Sequence, residues 1–261
     1  MGISATSAKS AFLTGASTGI GQALARHYAA TGATLGLAAR RGQLLADLAA
    51  SLPGTHACYP LDVVDGMALQ AAASDFIARC GCPDIVIANA GISAGTLGED
   101  AGDLPAFRRI FEVNVIGMAQ TFQPFIAAMK ARGSGCLVGI ASVAGIRGLP
   151  GAGAYSASKA ATITYLEALR GELRGSGIQV VTIAPGYIAT PMTAMNTYPM
   201  PFLLSADEAA RRFARAIERG SSYTVIPWQM GVVAKLLRLL PNPLLDALFA
   251  RAGRKKRGLD L

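Results

Sequence analysis

Short apolar runs alternate with stretches of helical spacing along almost the whole chain, and this alternation constrains the fold more than any other feature. The runs are Ala11–Thr14, Thr34–Ala39, Thr55–Pro60, Asp84–Asn89, Cys136–Ala141, Gln179–Ala184 and Tyr223–Pro227. Helical periodicity occupies the intervals at 19–31, 42–51, 66–80, 106–131, 154–175 and 206–219. Buried strands joined by helices pair in parallel, because each helix crossover returns the chain to the same end of the sheet and covers one of its faces. The pattern predicts a doubly wound α/β sheet of seven parallel strands. Ligands are then expected beyond the C-terminal ends of the strands. A chain of 261 residues suits one such domain, expected over 1–227, with an extension over 228–261.

The first strand runs directly into Thr14-Gly15-Ala16-Ser17-Thr18-Gly19-Ile20-Gly21, and a helix follows. Residues without a Cβ let backbone amides approach a pyrophosphate, and the helix N-terminus adds partial positive charge. Gly15-x-Ser17-x-Gly19 also fits the nucleophile elbow of a hydrolase. That chemistry needs a histidine late in the chain, whereas the histidines here are His27 and His56. The dinucleotide reading therefore stands. A site for NAD shows an acid about 20 residues after the glycines, to bind the ribose 2′-hydroxyl. Here the second strand ends in Ala39-Arg40-Arg41, and the next acid is Asp47. Two guanidiniums suit a 2′-phosphate, so the sequence favours NADP (NADPH) over NAD.

Tyr155-Ser-Ala-Ser-Lys159 lies at the start of a helix, where residues four apart share a face. A phenol titrates near pH 10, and a neighbouring ammonium favours its ionised form. The pair is thus suited to proton transfer.

Together these motifs resemble the short-chain dehydrogenase/reductase family, with its single Rossmann domain, over residues 8 to about 227. The resemblance rests on an ordered set: the TGxxxGxG turn at 14–21, Asp62 after the third strand, and Asn89-Ala90-Gly91 after the fourth. Asn114, Ser142, Tyr155-x-x-x-Lys159, Pro185-Gly186 and Thr190 follow in order. It implies an NAD(P)-dependent oxidoreductase acting on a carbonyl or secondary alcohol. Tyr155 would be the general acid in reduction and the base in oxidation. Lys159 would depress its pKa and hold the nicotinamide ribose, Ser142 would bind the carbonyl oxygen, and Asn114 would hold a proton-relaying water. Asp62 and Val63 would contact adenine, while Asn89 supports the sheet end beside the cofactor. Ile188 and Thr190 would contact the carboxamide. Ser17, Arg40 and Arg41 would lie near the adenosine ribose. Many NADP-preferring relatives carry a basic residue where this chain has Thr18. Relatives commonly form dimers or tetramers through the helices corresponding to 106–131 and 154–175, so a homo-oligomer is expected.

The segment 186–204, GYIATPMTAMNTYPMPFLL, contains no charged residue and implies an apolar substrate, lipid-, steroid- or acyl-like. In the extension, Val233, Leu236, Leu237 and Leu240 share one helical face. Pro241 and Pro243 interrupt it, and Leu244, Leu245, Leu248 and Phe249 continue an apolar stripe. A basic run follows at 251–257 and dominates the uneven formal charge of +8. Such a segment either lies in a membrane interface, covers the substrate pocket or packs on a sister subunit. Without a recognised binding motif, the basic tail does not point to nucleic acid.

The first residues lack the apolar run of a secretory signal, and no stretch of about 18 apolar residues occurs. Cys58, Cys80, Cys82 and Cys136 show no metal-ligand spacing, and reduced thiols in the cytoplasm are expected. Two further classes compete with the enzyme: a catalytically silent nucleotide-binding scaffold and a peripheral membrane protein of the same fold.

Overall fold

The computed structural model of the protein describes residues 10–250 together with Lys255, Arg257 and Gly258. Strand β1 (Ser10–Thr14) leads into α1 (Gly19–Ala30), β2 (Thr34–Ala39) into α2 (Gly42–Ser51), and β3 (Ala57–Pro60) into α3 (Gly66–Cys80). After β4 (Ile85–Ala88) come α4 (Leu104–Phe111) and α5 (Gly117–Arg132), then β5 (Gly135–Ile140) and α6 (Gly153–Glu172). β6 (Ile178–Pro185) opens onto a loop containing β7 (Ile188–Ala189), α7 (Pro191–Ala194) and β8 (Leu204–Ser205). The chain continues through α8 (Ala206–Glu218), β9 (Tyr223–Ile226), α9 (Trp228–Leu239) and α10 (Asn242–Phe249).

Seven strands form one sheet in the order β3-β2-β1-β4-β5-β6-β9, with every neighbouring pair parallel. This is the doubly wound fold the alternation predicts. Successive strand residues point to opposite faces, and both faces are covered. In β1, Leu13 joins a core with Leu24, Leu35 and Phe213, whereas its neighbour Phe12 packs with Phe76, Phe122 and Phe125 on the other side. The strand order turns about β1 and β4, so the crevice between their C-terminal ends is the topological switch point.

Two regions depart from the sequence reading. The single helix expected over 106–131 is divided by a π-helical turn, Glu112–Ile116. The turn contains Asn114, whose side chain is tied to Ile92 and Ser158 rather than left to solvent. In the extension, Met230, Ala234 and Leu245 are buried, while Val232, Leu236, Leu239, Leu244 and Leu248 face outward. Leu236, grouped by periodicity with Val233 and Leu237, is thus 60% exposed. Hydrogen bonds from Arg147 to Leu240 O and from Arg238 to Ile146 O fasten the extension to the loop after β5. No helix among the described residues is long and apolar enough to cross a membrane.

Candidate active site

The glycine turn after β1 is held by packing that excludes side chains. Gly15 has φ of +66°, and a Cβ there would approach Ala90 Cα to 2.8 Å. A Cβ on Gly21 would stand 2.1 Å from Gly15 O. Asn89 fixes the same turn from β4, its side-chain amide donating to Thr14 O at 3.1 Å and Gly15 O at 3.2 Å. Thr14 returns the contact, its hydroxyl oxygen accepting from Asn89 N and Ala90 N. The first turn of α1 then starts without a side-chain cap on Thr18 and without an acidic residue, leaving its amides available to an anion.

These residues line a cleft of about 360 Å³ at the switch point. Gly15, Ser17, Thr18, Gly19, Ile20, Arg40, Arg41, Asp62, Val63, Asn89, Ala90 and Gly91 lie along it, as do Ser142, Tyr155, Lys159, Pro185, Gly186, Ile188 and Thr190. At one end, Arg41 Nη2 donates to Thr18 Oγ1 at 2.9 Å and to Ser17 Oγ at 3.1 Å. A guanidinium from the end of β2 therefore covers the Thr18 position. Asp62 sits on the adjacent wall, its carboxylate taking the Arg109 guanidinium at 2.5 Å and Val64 N at 3.2 Å. The sequence reading missed Arg109. It lies 47 residues from Asp62 within an ordinary polar helix face, and no local signal marks it.

At the other end, α6 presents Tyr155 and Lys159 one turn apart. The Lys159 ammonium is 5.9 Å from the Tyr155 ring centroid and donates to Ile140 O at 2.8 Å. Burial pushes that ammonium down to about 8. Burial also raises the Tyr155 phenol, while a hydrogen bond with Ser142 pulls it the other way. The sequence led us to expect the ammonium to lower the phenol. In this arrangement burial is the larger effect, and the counteracting influence comes from Ser142. Ser142, at the end of β5, accepts from Ala144 N through its hydroxyl oxygen at 3.2 Å, which fixes the rotamer.

Two sequence-assigned residues do not line the cleft: Gly21, packed beneath the turn against Gly15 O and Asn89, and Asn114, which lies behind it. Asn114 is fully buried, accepting from Ile92 N at 2.9 Å and donating to Ile92 O and Ser158 Oγ at 3.0 Å each. Its carboxamide oxygen and Lys159 Nζ both lie within 4 Å of where a Gly91 Cβ would project.

The sequence model of the short chain dehydrogenase family matches residues 9–199. The chain belongs to that family. An uncharacterised oxidoreductase of Myxococcus xanthus (strain DK1622) is 40% identical over 244 residues, 92% of this chain and 95% of its own length. Among solved short-chain dehydrogenases, L-sorbose reductase from Gluconobacter frateurii, complexed with NADPH and L-sorbose, is 25% identical. It superposes with a TM-score of 0.76 over 87% of this chain and 96% of its own. The 3-ketoacyl-(acyl-carrier-protein) reductase from Brucella melitensis, complexed with NADH, gives 0.77 at 25% identity over 84% and 96%. This short-chain dehydrogenase is accordingly an oxidoreductase of the CH–OH/C=O type working with a nicotinamide cofactor. The uncapped α1 amides and the close-packed glycine turn fit such a dinucleotide.

The C-terminal basic run adds side chains that the sequence did not place at the site. Lys255 Nζ lies 5.2 Å from the Tyr155 ring centroid and donates to Ser93 Oγ at 2.6 Å. Burial pushes this ammonium down to about 8 as well. Arg257 pairs with Asp100 and, at 3.0 Å, with Asp103. The other basic residues of the run, Arg251, Arg254 and Lys256, lie outside the described residues. All four cysteines are free thiols.

Proposed function

We propose that this protein is an NADP(H)-dependent carbonyl reductase or alcohol dehydrogenase for an apolar, lipid-, steroid- or acyl-like substrate, with Tyr155 as general acid and base. The observation carrying this reading is one cleft with Arg40 and Arg41 at one end and Ser142, Tyr155 and Lys159 at the other. When bound, the nicotinamide supplies or accepts the hydride. Tyr155, kept protonated by burial, donates its proton to the carbonyl oxygen in reduction and recovers one in oxidation. Ser142 donates to the same oxygen as negative charge develops there. Lys159 keeps donors beyond the one given to Ile140, and these suit the ribose hydroxyls. Asn114 lies beside Lys159 behind Gly91, but its carboxamide is committed to Ile92 and Ser158, so on this reading it serves the proton relay by holding the backbone beside Lys159 rather than by binding the water through its side chain.

The apolar preference rests on the charge-free segment 186–204. Met192 lines the cleft, and Tyr187 and Tyr198 meet edge to face at 6.3 Å. The reading takes 1–227 as the catalytic domain and 228–261 as an extension closing over the loop after β5. It takes the protein as a cytoplasmic homo-oligomer whose extension makes a peripheral membrane contact, covers the pocket or packs on a sister subunit. A scan of aliphatic, steroid and acyl ketones with NADPH and NADH tests the chemistry. Turnover that Tyr155→Phe reduces by about 10²- to 10⁴-fold supports it. Turnover that survives the substitution, or a scaffold without turnover, overturns it.

A further inference from the structure

The segment holding Lys255 and Arg257 reaches back to the loop after β4, beside Tyr155. Gly95 and Arg257 form a parallel β-bridge, and the Arg257 guanidinium binds the carboxylates of Asp100 and Asp103. Asp103 is itself 8% exposed and also accepts from Leu97 N at 2.8 Å. The same loop is joined to the catalytic side, because Thr96 bridges Ala152 and its hydroxyl oxygen accepts from Ala154 N at the start of α6. Two residues before its anchor, the chain thus holds Lys255 over Tyr155.

Arg257 has two carboxylates, whereas Lys255 has none in contact among the described residues. Its hydrogen bond goes to Ser93, which is 8% exposed and adjacent to Ile92 on the cleft wall. A half-buried ammonium facing only a hydroxyl and an aromatic ring is poorly compensated. It also lies beside the reacting phenol, and segment 186–204 brings no charge of either sign. We infer that Lys255 is the counter-ion for a carboxylate carried by an otherwise apolar carbonyl substrate, so that the C-terminal segment selects keto acids over uncharged ketones. This inference rests on Tyr155 being the acid–base group, since that fixes where the carbonyl lies.

The experiment uses the full chain and matched pairs: 4-oxopentanoate, 6-oxoheptanoate and 9-oxodecanoate, each against its methyl ester. The three lengths vary the separation of carbonyl and charge. At the length that fits, kcat/KM for the acid exceeds that for the ester by about ten-fold or more. In Lys255→Met the acid-to-ester ratio falls towards one, and in Lys255→Arg it is largely kept. The ratio is measured on a single preparation, so partial misfolding cancels. Equal rates for acid and ester in the wild type at all three lengths, or a ratio unchanged in Lys255→Met, overturn the inference. If Tyr155→Phe abolishes ester reduction while no acid is preferred, the assignment of Lys255 alone has failed. Absence of turnover with every compound, or turnover that survives Tyr155→Phe, removes the underlying reading together with the inference.

Discussion

The Arg41 guanidinium donates to the hydroxyl oxygen of Ser17 at 3.1 Å, reaching from the end of β2 across the glycine turn. Thr18 takes a second donor of the same guanidinium, and on the proposed reading this end of the cleft receives the adenosine ribose with its 2′-phosphate. A fork held by two hydroxyls loses little freedom on meeting a phosphate. Arg41→Ala is therefore expected to lower kcat/KM with NADPH by about 10- to 100-fold, in line with about 1.5–3 kcal/mol for a hydrogen bond to a charged group. The value with NADH should change only a few-fold. Steady-state kinetics with both cofactors check this, and equal losses with each would show that Arg41 does not read the phosphate.

Asp62 and Arg109 carry the second prediction. Their 2.5 Å ion pair joins the loop after β3 to α4, and Glu112 engages the same guanidinium at 3.5 Å. Both partners keep about a quarter of their side-chain exposure, so solvent screening holds the pair to about 1 kcal/mol or less. Its larger effect is positional, because Asp62 lines the cleft. Arg109→Leu should raise the cofactor KM several-fold while kcat stays within about two-fold, and should lower the melting temperature by only a few degrees. A fall in kcat with unchanged KM would place the effect elsewhere.

The contrast between Asp62 and Arg109 shows how far the sequence could be read. Asp62 and Ser142 were named only through the family resemblance, and both line the cleft, whereas the approach of Tyr155 and Lys159 on one helical turn was legible in their spacing itself. Arg109, Ser93 and Lys255 come to the site through contacts 47 to 162 residues apart in the chain, and local spacing carries nothing about them. The π turn at Asn114 was hidden for a related reason. Apolar spacing runs on through α4 and α5, and the register shift is set by side-chain bonds to Ile92 and Ser158. In the extension, periodicity found apolar stripes but not which of them faced inward.

Lys159 gives a prediction about stability and pH. Its ammonium ordinarily titrates near 10.5 and is pushed down to about 8 by burial, so folding disfavours the charged form. Below pH 8 the folded protein carries the full cost of this buried charge. Between 8 and 10.5 the unfolded chain binds more protons than the folded one, so this contribution to stability rises with pH. A depression of this size corresponds to on the order of 3 kcal/mol. Relative to the wild type, Lys159→Met should be most favoured near pH 7 and progressively less so towards pH 10. Urea unfolding of both proteins at several pH values measures the difference. A difference independent of pH would mean that Lys159 is not desolvated in the fold.

The outward stripe of the extension gives the last prediction. Val232, Leu236 and Leu239 follow one another along α9, and Leu244 and Leu248 continue the exposed apolar surface on α10. Leu239 is 80% exposed, and burying such side chains in an interface is favourable by about 25 cal/mol per Å² of apolar area. The opposite side is committed to the protein through Met230, Ala234 and Leu245. Because Lys255 is half-buried and Arg257 is paired with Asp100 and Asp103, attraction to anionic headgroups is weaker than the basic run suggests by itself, and apolar burial has to supply most of the affinity. Leu236→Ser combined with Leu239→Ser should therefore reduce sedimentation with phosphatidylcholine–phosphatidylserine vesicles several-fold, leaving ketone turnover intact. High salt should reduce sedimentation of the wild type much less than the double substitution does. Equal sedimentation of wild type and variant would exclude this surface as the membrane contact, and a change in size-exclusion elution with no change in sedimentation would assign it to a second copy of the chain.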